Sequence, residues 1–211
     1  MKSRYIWMGL MMVWMAGAGL MADEPGLEMK NPAFEESPVG NQVADALRQV
    51  TKADIAFVAA SELRGDLEKS RIFAENLPGV FVQPEDTVAV LSLTGLQILQ
   101  ALERSVSLHP RKNRGFLQVS GLRFTFDPSR PSGERVLLVT VGKEKIKEDS
   151  RYRVAMSSTL AGGALGYFKV WDNKKQSAGP SLKTTLEDAV KSFLKEGKER
   201  SPAGERIGIK K

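Results

Sequence analysis

The sequence predicts an α+β fold, a mixed β-sheet carrying packed helices, and three patterns point to it. Leu122, Phe124 and Phe126 alternate with Arg123 and Thr125, the period of a strand with one buried face. Ile55 to Ala60 is apolar at every position, as in a strand covered on both faces. Val43, Leu47 and Val50 recur at helical spacing, so a helix packs there by one face. A chain of 211 residues, 42% hydrophobic, can bury one sizeable core, and a single domain over residues 35–200 is expected.

Taken in order, residues 1–22 have the three parts of a secretory signal. Lys2 and Arg4 precede an apolar run from Tyr5 to Met15, and small residues follow, with cleavage expected after Ala18 or Ala22. Read instead as an uncleaved anchor, the stretch reaches only the lower limit for spanning a bilayer. The expected location is therefore periplasmic or secreted, with no stable membrane anchor. Residues 23–34, with Pro25 and Pro32, read as an extended leader. Asn41 is the expected N-cap of the first helix. A strand from Thr87 to Leu93 leads into Thr94-x-x-Gln97, a capping box opening a helix over Leu96 to Val106 with Leu99, Leu102 and Val106 inward.

His109 falls in the polar connection 107–114, where an exposed loop histidine is expected, beside the basic residues Arg111, Lys112 and Arg114. Asp127-Pro128 ends the alternating strand, because proline offers no N–H to a ladder. A partner strand begins at Val136 after Pro131, Ser132 and Gly133, making a long-looped antiparallel hairpin. Gly142-Lys143 is a tight turn, and Tyr152 to Met156 gives a further strand. A last helix over 185–196 is capped through Thr184-x-x-Glu187 and stopped by Gly197, and residues 201–211 read as a basic tail.

Composition excludes several chemistries. With no cysteine, there is no disulfide, thiolate site or cysteine nucleophile. With one histidine, the chain lacks the usual ligand set of a dinuclear metal site, so neither catalytic residues nor metal ligands are assigned. The net charge of +6 is concentrated late in the chain, where Lys191, Lys195, Lys198, Arg200, Arg206, Lys210 and Lys211 alternate with glutamates. That pattern suits a solvated, partly frayed helix end, and without interleaved aromatics it argues against nucleic-acid binding.

Two strings then carry a family resemblance. Phe116-x-Gln118-Val119-Ser120-Gly121-Leu122-Arg123-Phe124-Thr125-Phe126-Asp127, followed by Gly133-x-Arg135, resembles the C-terminal domain of the 5'-nucleotidase family. Glu36-Ser37-x-x-Gly40-Asn41-x-x-x-Asp45-Ala46 resembles that domain's opening helix, and the likeness extends over about residues 35 to 200. The resemblance implies a substrate-binding domain whose relatives take metals and the catalytic histidine from a separate metallophosphoesterase domain. The short leader is expected to leave no room for that domain here.

The resemblance also marks departures. Where the family carries Asn-Gly-Gly-Gly-Ile-Arg after the buried strand, this chain has Ala59, Ala60, Ser61, Glu62, Leu63 and Arg64, so only the arginine survives. Glu62 sets a carboxylate where an anionic ligand would be repelled. The family's base-stacking phenylalanines have no clear equivalent, Phe81 being the nearest candidate for one and Thr159 standing at the other, and Leu165 replaces a ligand-binding aspartate. Gly162 and Gly163 keep the freedom of that loop. The ligand-binding candidates are therefore Arg64, Asn41, Gly162 and Gly163, with no cofactor implied. Arg64 would bind phosphate or carboxylate bidentately, unless Glu62 or Asp66 claims it.

Three function classes stay open. One is a non-catalytic exported binding module for a nucleotide or another phosphorylated small molecule, acting with a metallophosphoesterase on a separate chain. The second is a nucleotide hydrolase. The third is a structural or interaction protein of the envelope.

Overall fold

The structure, a computed structural model, describes residues 26–178, 182–196 and 205–210. The expected signal segment, the leader up to Pro25 and the Gly197 stop lie outside the described residues. In chain order the elements are β1 (Leu27–Glu28), α1 (Pro38–Thr51), β2 (Ile55–Ala59), β3 (Arg71–Ile72), β4 (Val88–Thr94), α2 (Gly95–Val106), β5 (Leu117–Ser120), β6 (Leu122–Phe126), β7 (Val136–Val141), β8 (Glu144–Lys145), β9 (Arg151–Ser157), α3 (Ser158–Ala161), α4 (Asn173–Gln176), α5 (Leu186–Lys195) and β10 (Ile207–Ile209).

Two four-stranded sheets organise the molecule. The central one runs β4-β9-β2-β5, with β2 and β9 parallel and the outer pairs antiparallel. The second runs β10-β6-β7-β8, with β10 parallel to β6. Because side chains alternate along a strand, β2 divides the core: Ile55, Phe57 and Ala59 face α2 and the second sheet, while Ala56 and Val58 face α1 and α5. All five β2 residues are buried, as the unbroken apolar run requires.

The run from Leu117 to Phe126 is two strands in different sheets. Gly121 makes the corner at φ +81°, and a Cβ there would lie 2.0 Å from the Asp54 carbonyl oxygen, so only glycine fits. Beyond it Leu122, Phe124 and Phe126 are buried and Arg123 and Thr125 exposed, which bears out the one-sided alternation.

The Thr94–Gln97 capping box forms as expected, with Gln97 N donating to Thr94 Oγ1 at 3.2 Å and Thr94 N to Gln97 Oε1 at 3.0 Å. Two caps differ from expectation. Ser37 precedes α1, and Pro38 occupies the first turn, where its missing N–H costs nothing, so Asn41 is a first-turn residue and not the N-cap. At α5 the cap is Thr185, whose Oγ1 accepts from Asp188 N at 3.0 Å, one residue later than the Thr184 box.

Residues 205–210 are not a solvated tail. Phe124 N donates to Arg206 O at 2.8 Å as β10 joins the sheet edge, and the Glu36 carboxylate accepts from Arg206 N at 2.7 Å and Ile207 N at 2.9 Å. The Arg206 guanidinium is buried against Asp45, with contacts of 3.0 and 2.8 Å, and also reaches Val119 O at 2.8 Å. His109 is likewise half-buried rather than exposed, edge-on to Phe126 at 5.0 Å between ring centroids, with burial and nearby Arg135 lowering its pKa. Among the described residues no helix is long and apolar enough to cross a membrane.

Candidate functional site

The central sheet delivers several chain ends to one place. β2 ends at Ala59 and turns through Ala60–Glu62, and β9 ends at Ser157, which caps α3 by accepting from Leu160 N at 3.0 Å. The loop before β4 closes a third side. Between them lies a recess of about 250 Å³ lined by Glu62, Asp86 and Arg114 together with apolar Val82, Leu160 and Leu165.

Glu62 is the chemical centre of this recess. One carboxyl oxygen accepts from Ala59 N at 2.7 Å and the other from the Ser157 hydroxyl, which ties the ends of β2 and β9 together. Both bonds favour the ionised form, yet burial outweighs them and raises the pKa to about 7, with the charge of Asp86 adding to the rise. With a pKa of about 7 the carboxyl can carry a proton at neutral pH, and the protonated form can donate as well as accept. Asp86 accepts from Thr159 N at 3.2 Å. Arg114 is the cation of this lining.

The four residues expected to bind ligand are not gathered here. Arg64 is exposed and engages Asp66 through Nη2–Oδ2 at 2.6 Å and Nε–Oδ1 at 3.2 Å, the pairing its sequence neighbourhood allows. Asn41 is buried in the first turn of α1, its Nδ2 donating to the Glu36 carboxylate, and it lines a different recess beside Thr125 and Ile207. Gly162 and Gly163 end α3 next to the recess, but their N–H groups are used within the turn, donating to Ser158 O at 2.8 Å and Leu160 O at 2.9 Å. Gly163, at φ +89°, also has no space for a Cβ, which would meet Phe168 at 2.7 Å.

The loop after Gly163 is pinned by Tyr167, which stacks on Trp171 at 4.8 Å and donates its hydroxyl to Gly115 O at 2.6 Å. Phe81 is buried and bridges Leu63, so the side chain beside the recess is Val82. Sequence reasoning singles out Glu62 and Arg114 but misses Asp86, whose only signal is the acidic pair Glu85-Asp86 ahead of a strand. Among the described residues no group of three or more His, Asp or Glu side chains is placed to hold a metal ion.

Known proteins share the sequence pattern and the fold. The chain is 31% identical over 142 residues to the trifunctional nucleotide phosphoesterase protein YfkN of Bacillus subtilis, covering 63% of this chain and 10% of that protein. It is 31% identical over 185 residues to a snake venom 5'-nucleotidase of Gloydius brevicauda, covering 77% of this chain and 31% of that one. The solved 5'-nucleotidase precursor of Thermus thermophilus superposes with a TM-score of 0.72 at 29% identity, over 87% of this chain and 38% of its own. The NAD nucleotidase of Haemophilus influenzae shares the fold, with a TM-score of 0.70 at 19% identity, over 88% of this chain and 36% of its own. This chain thus spans well under half the length of each. The sequence model of the 5'-nucleotidase C-terminal domain matches residues 18–172, and the chain belongs to that family.

Proposed function

We propose that this chain is a non-catalytic, exported binding module of nucleotide or phosphate-ester catabolism, acting with a metallophosphoesterase on a separate chain. The observation that carries the reading is the recess at the end of β2: segments that resemble the family's ligand loops in sequence border it, its floor is a protonatable carboxyl and the neighbouring glycine-loop N–H groups are already bonded. Such a floor suits the neutral part of a ligand, a sugar hydroxyl or a base edge, while Arg114 offers a charged contact for a phosphate at the rim. One histidine in 211 residues supports binding without turnover. The signal-like residues 1–22 support export.

Two measurements test this. Purified protein incubated with nucleoside monophosphates, with and without divalent metal, should release no phosphate. Calorimetric titration with adenosine and AMP should give heat that is lost in Glu62→Ala and, for AMP, weakened in Arg114→Gln. Arg64→Ala should leave the titration unchanged, since Asp66 already holds that guanidinium. Metal-dependent phosphate release that disappears in Arg64→Ala would overturn the reading, and so would the absence of heat with either ligand.

A further inference from the structure

The N-terminal end of β2 carries a second recess, separate from the one around Glu62. The β2–β5 register pairs Ala59 with Leu117 and Ala56 with Ser120, so Ser120 and the Gly121 corner lie at the end of the strand remote from Glu62. There the last turns of α1, the β5–β6 corner and the β7–β8 turn border an open recess of about 530 Å³, a volume within the range of small-molecule sites.

The charge around it is one-sided. Arg48, Arg123, Lys143 and Arg206 border the recess against a single carboxylate, Asp45. Asp45 is fully committed: its side chain is 1% exposed, it pairs with both terminal nitrogens of Arg206, and it accepts from the Ser120 hydroxyl at 2.6 Å. Ser120 in turn accepts from Arg48 Nε at 2.7 Å, which fixes that guanidinium by its inner nitrogen and leaves the two outer ones for another partner. Arg123 stands on the exposed face of β6 opposite Thr140, and Lys143 sits in the β7–β8 turn.

Among the described residues no carboxylate pairs with Arg48, Arg123 or Lys143. The nearby acids are occupied, Glu144 by Lys147 at 3.4 Å and Asp54 by the Arg153 N–H at 2.8 Å. Three cations that form no ion pair among the described residues, one of them oriented by a part-buried hydrogen-bond chain, make a positive potential that a multiply charged anion neutralises.

We propose that this recess is a second ligand site, taking a phosphate-bearing group on Arg48, Arg123 and Lys143. The group is either that of a soluble phosphorylated molecule or an anionic lipid headgroup, and the chemistry of recognition is the same.

The test titrates the whole protein with pyrophosphate and compares two double variants. Arg123→Gln/Lys143→Gln removes two exposed charges at the recess, and Arg111→Gln/Lys112→Gln removes two from the loop before β5. The first should weaken pyrophosphate binding about tenfold or more. The second should change it less than about twofold, and saturating adenosine should not displace the pyrophosphate, which separates this site from the one proposed above. Binding should also weaken as salt is raised, as contacts between exposed charges do. Flotation with vesicles of phosphatidylglycerol, blocked by pyrophosphate and lost in the recess variant, would assign the headgroup; titration without flotation would assign the soluble ligand. Equal losses in the two double variants, or no saturable binding to the native protein, would refute the site.

Discussion

At one end of β2 the Asp45 carboxylate lies 2.8 Å from the Arg206 guanidinium, and at the other the Glu62 carboxyl is held only by an amide and a hydroxyl. Asp45 is buried and Glu62 half-buried, at opposite ends of the same sheet. The first has a cation to balance it, so a hydrogen-bonded ion pair forms and serves as a clasp for the C-terminal strand. The second makes no ion pair among the described residues, and desolvation moves its titration to about 7. What sets the two carboxylates apart is the partner, supplied for Asp45 from 161 residues away.

The largest expected effect lies at the clasp. Arg206→Met leaves Asp45 buried without a counter-charge and should cost about 3–5 kcal/mol in urea unfolding. Adding Asp45→Leu should recover most of that loss. If the single variant unfolds like the native protein, the ion pair does not hold β10 in place.

Apolar packing gives the next yardstick. Phe126→Ala and Phe124→Ala, both on the buried period of β6, should each cost about 3–5 kcal/mol, and Leu122→Ala about 2–5 kcal/mol, by the same measurement.

Glu62 sharpens the contrast through pH. Its pKa is raised on folding, from 4.5 to about 7, so the native state holds the proton more tightly than the unfolded chain. The stabilisation is therefore complete below about pH 4.5 and is lost as pH rises through 7. Glu62→Gln removes the ionising group, and unfolding curves should show the variant gaining on the native protein by up to about 3 kcal/mol between about pH 4.5 and about pH 8. A difference independent of pH would mean that Glu62 does not titrate in this range.

The smallest effects belong to the outward period of β6. Arg123→Ala and Thr125→Ala should each stay within about 1 kcal/mol of the native stability. Losses equal to those of the phenylalanine variants would show that this face is covered in solution.

Local pattern makes much of this fold readable. The alternation at Leu122–Phe126, the unbroken apolar run of β2 and the Thr94–Gln97 box each depend on residues within a few positions of one another, and each forms as expected. The family match adds the framework, including the glycine loop after β9. Less of the candidate site can be read. Glu62 is visible as a misplaced carboxylate, whereas its union with Asp86 and Arg114 needs three loops brought together by the central sheet.

The α+β class and the buried strand are written in the sequence, because periodicity and capping are short-range properties. Tertiary structure alone decided which charges are solvated. In the sequence Arg206 is one more cation of a basic tail, and His109 a loop histidine. Burial is set by what packs on a residue from elsewhere in the chain, and charge counting carries no record of it.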